Sequence, residues 1–308
     1  MRALAASLLV ILAACQAPAT PSVGPLGAGE RATFLLANAG GLLALDESCR
    51  GIGRVVELPE GSAPATPALH PDGRSIAFTL TQQPSKTTGF GSDIFAARID
   101  GTGLRPLLEH ESENVFYASP RFDPGGDVLY VHRRAAVVRG GQYVGNEDTI
   151  ERVDLRTGER RTIARDAADP TRSPDGRTLV YVHLKDGQPD ALWSVSTADP
   201  ASARPFLRVP DTFWYLQSPR FSPSGGHLVF SAAGRSTSGA RGGKQAHLGV
   251  PSELLLAPSD GGSLRTLGQT GDDAIPTWSP DGSKIAYVGA GTFAILTLAD
   301  ESIRVCAQ

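Results

Sequence analysis

Pro276-Thr277-Trp278-Ser279-Pro280-Asp281-Gly282-Ser283-Lys284-Ile285-Ala286-Tyr287 is the clearest copy of a unit that the chain repeats. Earlier copies begin with Pro67-Ala68-Leu69-His70-Pro71-Asp72-Gly73, Pro120-Arg121-Phe122-Asp123-Pro124-Gly125-Gly126, Pro170-Thr171-Arg172-Ser173-Pro174-Asp175-Gly176 and Pro219-Arg220-Phe221-Ser222-Pro223-Ser224-Gly225. The second prolines fall 53, 50, 49 and 57 residues apart, a spacing that marks a repeat architecture. In each copy Pro presets φ near −65° and Gly supplies a positive φ, so the unit reads as a hairpin turn. An alternating run follows it, such as Ile76-Ala77-Phe78 or Ile285-Ala286-Tyr287, in which the aliphatic and the aromatic residue share one strand face.

Two further strand-like runs complete every unit, for example Asp93 to Ile99 and Leu104 to Leu108, and four strands per unit is the count of a propeller blade. Upstream, Thr33 to Ala37, Leu42 to Asp46 and Arg54 to Leu58 give three strands without the turn, which reads as a first blade lacking its innermost strand. The expectation is an all-β chain forming a single β-propeller over residues 31–308, with six blades; five or seven also fit the spacing. The run from Pro276 to Tyr287 resembles the TolB-type β-propeller repeat, and the resemblance spans nearly the whole chain after residue 30. It implies binding of a protein partner in the cell envelope, with no counterpart expected here of the extra N-terminal domain that accompanies the TolB propeller.

The 308 residues include 35 glycines and 23 prolines, with 41% apolar residues, 20% charged residues and a net charge of −3. That composition excludes a disordered polyelectrolyte and a basic nucleic-acid binder. Arg2 followed by an apolar stretch from Ala3 to Ala14 reads as a signal peptide over residues 1–14. Twelve residues of helix reach about 18 Å, short of a bilayer core of about 30 Å. Leu12-Ala13-Ala14-Cys15 resembles the lipobox of bacterial lipoproteins, which implies lipidation of Cys15, a tether over residues 15–30 and an anchor in the outer membrane, as Gln16 suggests, or at the cell surface, facing the periplasm. The lipid would be the chain's only membrane contact, and a monomer is expected.

Cys49 and Cys306 remain as a pair that an oxidising compartment permits. Their expected positions, a hairpin loop on one face and the end of an outer strand near the other, weigh against a bridge.

Loops on one face of a propeller usually carry its binding. Long loops are expected at Thr81 to Ser92, Arg133 to Asp148 and Ala233 to Ser252. Arg133, Arg134 and Arg139 in one, with Arg235, Arg241, Lys244 and His247 in another, would form a cationic rim. Phe116, Tyr117, Trp214 and Tyr215 precede two of the blades as candidate contact aromatics. Arg121 and Arg220 share one repeat position and point toward the channel, whereas Arg172 falls on a core position and needs a partner such as Asp166 or Asp169. His132 and His183 match in register near the loop face; two imidazoles can serve a metal, but the repeat places no carboxylate beside them. Glu109 to Asn114 lacks the second His of a zinc helix, and Gly239 to Gln245 is one residue short of a phosphate loop. With no catalytic motif, metal or cofactor expected, the leading reading is a non-catalytic scaffold for an envelope protein or peptide. The alternative is a carbohydrate-binding or lyase-like propeller using Trp214 or Tyr215 with His132 or His183.

Overall fold

The computed structural model describes residues 32–38, 41–207, 213–234, 252–270, 274–289 and 291–306. The signal segment, Cys15, the tether, Arg235, Arg241, Lys244, His247 and the side chain of Trp214 lie outside the described residues.

The chain is all-β, a succession of antiparallel meanders. The first has three strands: β1 (Phe34–Asn38), β2 (Gly41–Leu45) and β3 (Gly51–Val56). The second comprises β4 (Ala63–Leu69), β5 (Ser75–Thr81), β6 (Gly91–Arg98) and β7 (Arg105–Leu108). The third comprises β8 (Val115–Phe122), β9 (Val128–Arg139), β10 (Gln142–Asp154) and β11 (Arg160–Arg165), and joins the second through a short parallel pairing of β6 with β8. The fourth holds β12 (Ala167–Arg172), β13 (Thr178–Lys185), β14 (Gln188–Ser196) and β15 (Arg204–Pro205). The fifth holds β16 (Phe213–Phe221), β17 (His227–Gly234), β18 (Ser252–Pro258) and β19 (Arg265–Gln269). The sixth holds β20 (Ala274–Trp278), β21 (Lys284–Gly289), β22 (Thr292–Thr297) and β23 (Ile303–Val305).

The repeat supplies both the turns and the glue between sheets. Each turn glycine has φ between 65° and 82° and donates to the residue before the turn proline, as in Gly176 N to Ser173 O at 2.9 Å. Consecutive turns stack: a Cβ on Gly176 would lie 2.8 Å from Pro124, and one on Gly225 3.2 Å from Pro174. The strand after the turn is buried on both faces. Ile76 and Phe78 pack with Leu42, Ala44 and Val55 of the first sheet, while Ala77 between them packs with Val115 and Tyr117 of the third. A small residue between two large ones lets neighbouring sheets approach on one side and fills the space on the other.

Cys49 and Cys306 are joined by a disulfide with a Cα–Cα distance of 5.4 Å, which corrects the expectation that they stand too far apart. The reason is a repeated offset between sheets. The turn before the last strand of one sheet leans on the last strand of the sheet before it, as Gly101 does on the Val55 carbonyl and Gly261 on the Phe206 carbonyl. By the same relation the Asp46–Arg50 turn of the first sheet lies against the end of β23, where Cys306 waits. Phe34 and Leu45 pack there with Phe293 and Ile295, and Lys284 Nζ reaches Glu47 at 2.8 Å.

Candidate functional site

In the first strand of four successive sheets, the residue before the repeat proline is left-handed: Thr66 (φ 45°), Ser119 (50°), Asp169 (43°) and Ser218 (53°). Pairing with the second strand shifts register at each of these points. Such conformations cost about 1 kcal/mol or more in a residue with a side chain, and a bulge of this kind re-aims that side chain. The re-aimed groups touch across the sheets. Thr66 Oγ1 lies 2.9 Å from Thr79 Oγ1 and accepts from Ser119 N at 3.1 Å, and the Ser119 side chain hydrogen-bonds Asp169.

Asp169 then meets two arginines from the sheets on either side. Arg220 Nη1 donates to Asp169 Oδ1 at 3.1 Å, while Arg121 Nη2 stays 3.8 Å from the same oxygen. Each Nη1 also donates to the carbonyl of the proline before it, Pro120 or Pro219, at 2.7 Å. Burial works against the charge on Asp169, but Arg220 and Arg121 outweigh it and hold the carboxyl below the ordinary aspartate value. Burial, together with the Arg220 charge, pushes Arg121 down to about 9. One carboxylate therefore serves two guanidinium groups.

Asp169 also lines a pocket of about 320 Å³ formed with Arg134, Ala168, Val182, Leu184, Gly187, Gln188, Pro189, Tyr215 and Gln217. Strand ends and a tight turn build its walls, so its shape is held by the sheets.

The sequence-derived candidates divide. Arg121, Arg220, Arg134 and Tyr215 belong to this cluster or its pocket. Arg133 and Arg134 do not form a free cationic rim: Arg133 Nη2 binds Glu111 at 2.6 Å, with Glu151 3.8 Å from its Nε, and Arg134 Nε donates to Asp148 at 2.7 Å. The span from Arg133 to Asp148 is a strand hairpin turning at Gly140 and Gly141 rather than a loop. Tyr117 is wholly buried, donates to Glu111 at 2.8 Å and carries Arg160 over its ring, so it is a core residue and not a contact aromatic. Phe116 is half-buried edge-on against Phe90.

His132 and His183 each have a carboxylate of their own, contrary to the sequence reading. His132 Nε2 donates to Asp148 at 2.7 Å, and His183 Nδ1 to Asp190 at 2.6 Å while its ring stacks on Trp193. Arg172 is satisfied by carbonyls, Phe122 O at 2.7 Å and Ser173 O, rather than by Asp166 or Asp169. Among the described residues, no three His, Cys, Asp or Glu side chains group as a metal site. Sequence reasoning missed Asp148, Asp190 and Glu111 as partners; their signal, a carboxylate cross-strand from a cation, needs the register of the hairpins.

No protein-family model matches the chain, and no curated protein matches it either. Solved structures do resemble it. TolB from Acinetobacter baumannii aligns with a TM-score of 0.65 at 15% identity over 89% of this chain; the chain spans 63% of that protein's length. An oligogalacturonate lyase in complex with manganese aligns at 0.59 and 13% identity, over 93% of this chain and 78% of the other. The nidogen/laminin complex gives 0.52 and 18% identity over 74% and 77%. At these identities the likeness establishes a TolB-like β-propeller fold.

Proposed function

We propose that the chain is a non-catalytic binding scaffold of the bacterial cell envelope: a signal peptide over residues 1–14, a lipid on Cys15, a tether to residue 30, and a closed six-bladed propeller that grips a protein or peptide at one end of its channel. Closure is supported by the Cys49–Cys306 bridge and by the packing of Phe34 and Leu45 on Phe293 and Ile295. The observation that carries the binding role is the pocket beside Asp169. Gln188, Gln217 and Tyr215 bring amide and hydroxyl groups to an apolar lining of Val182, Leu184 and Pro189, the mixture that an extended peptide needs. Sheets packed face to face pre-organise it, so little ordering entropy is lost on association. Proteins of the same fold occur as TolB and within the nidogen/laminin complex.

A second reading, a carbohydrate-active propeller, is favoured by the likeness to oligogalacturonate lyase and by the paired arginines. The described residues do not fit the manganese of that lyase, since no three ligating side chains converge.

A photo-crosslinking residue at Gln188, exposed at the pocket, tests the proposal against one at Leu69, exposed on the turn side. In intact envelopes, position 188 should yield one protein adduct and position 69 none. Adducts at neither, together with cleavage of an acidic polysaccharide by the purified protein, would establish the second reading instead. Palmitate labelling that disappears in Cys15→Ser tests the anchor.

A further inference from the structure

We propose that the Arg121–Asp169–Arg220 cluster is a carboxylate-binding site, and that the partner peptide inserts an acidic side chain or its C-terminal carboxylate between the two guanidinium groups. This rests on the peptide-binding reading above and names the group that is recognised.

Charge is the first argument. Two cations face one anion, from the first strands of three adjacent sheets, with side chains only 14%, 12% and 19% exposed for Arg121, Arg220 and Asp169. A buried, uncompensated cation is costly, and a fold that needed only stability would pair it or replace it. Donor geometry is the second. Nη1 of each arginine is committed to a proline carbonyl, and Arg220 Nη1 also to Asp169. Among the described residues, Nε and Nη2 of both make no hydrogen bond, although Nη2 of Arg121 faces Asp169 at 3.8 Å. Neither atom pair is sealed without a partner, because the buried side-chain atoms left without one are His110 Nε2 and Thr149 Oγ1. The unused donors therefore keep some contact with solvent, and the paired Nε and Nη2 edge of a guanidinium matches the two oxygens of a carboxylate. Access is the third: Asp169, the carboxylate that both guanidinium groups face, itself lines the pocket.

The test compares thermal unfolding and calorimetric titration with sodium acetate against sodium chloride at equal ionic strength, in the parent protein and in Arg121→Gln/Arg220→Gln. Acetate should raise the parent's midpoint saturably, beyond chloride, and bind the double variant at least tenfold more weakly. Arg220→Lys, which keeps the charge but loses the fork, should weaken binding about tenfold or less. Equal effects of acetate and chloride, or equal acetate binding by parent and double variant, would overturn the site.

A second set of probes separates this inference from the reading it rests on. Short peptides ending in a free carboxylate are compared with their amides, alongside oligogalacturonate. Peptide binding that needs the carboxylate supports both. Acetate binding without peptide binding, or with oligogalacturonate preferred, keeps the carboxylate site and overturns the peptide as its source. Peptides that bind the double variant as well as the parent overturn the site while leaving the scaffold reading intact.

Discussion

Asp169 combines a left-handed backbone, burial and a negative charge, and two arginines make that combination tolerable. Their contributions are unequal. Removing the carboxylate leaves two buried cations facing each other, so Asp169→Asn should lower unfolding free energy by about 3 kcal/mol. Removing the poorly paired cation relieves a burden, so Arg121→Gln should raise it by about 1 kcal/mol in urea unfolding at neutral pH. The pH dependence has a definite sign. Arg121 holds its proton less tightly in the folded state, near 9, than in the unfolded chain. Below that value both states are protonated and the full burial cost remains; above it the folded state sheds the proton and the cost falls. The advantage of Arg121→Gln should thus be complete at about pH 8 and reduced at about pH 10.5, and an advantage that is flat across that range would contradict the account. A residue that costs stability beside a carboxylate lining a pocket fits a binding role better than a structural one.

At the scale of the hairpin, the repeated turn does two jobs, and the two can be separated by substitution. Every turn glycine needs a positive φ, but only those after the first rest on a preceding turn. Gly73 meets nothing within 4 Å of where a Cβ would sit, since the first sheet offers no such turn, whereas Gly176 would drive a Cβ into Pro124. Gly73→Ala should cost about 1 kcal/mol from backbone strain alone. Gly176→Ala should cost about twice that or more, because Pro124 must move, and equal losses would mean that turn stacking adds nothing. This periodic element is what the sequence displayed openly. Pro-Asp-Gly and its copies announced the turns, and the alternation at Ile76-Ala77-Phe78 announced strands buried on both sides. The hairpin from Arg133 to Asp148 was hidden because its apolar and charged residues come in pairs, Ala135-Ala136 and Val137-Val138, instead of alternating. In the site, Arg121 and Arg220 were legible as departures from the repeat. Their shared partner was not, because three strands from three sheets meet at Asp169 through bulges that no local pattern encodes.

The molecule as a whole faces a closure problem that its repeat cannot solve. Each internal junction uses the first strand of the later sheet, as β8 does against β6, but the first sheet begins with β1 and the last ends with β23. What holds these ends together is a patch around Phe34, Leu45, Phe293 and Ile295, an exposed Lys284–Glu47 pair that contributes little, and the Cys49–Cys306 bond. That bond spans 257 residues of sequence, and in the chain-entropy account a crosslink of such length stabilises by about 5 kcal/mol. Reduction, or Cys49→Ser with Cys306→Ser, should therefore lower the thermal midpoint by about 10 °C for a chain of this size. The loss should also be local before it is global. Amide exchange in the reduced protein should accelerate first in β1 and β2, which meet the last sheet across the junction, while β9 and β13 in the interior stay protected. If midpoint and exchange are unchanged on reduction, the apolar patch alone closes the molecule and the bond is a bystander. If exchange accelerates uniformly, the sheets unfold as one unit and the junction is no weaker than the rest.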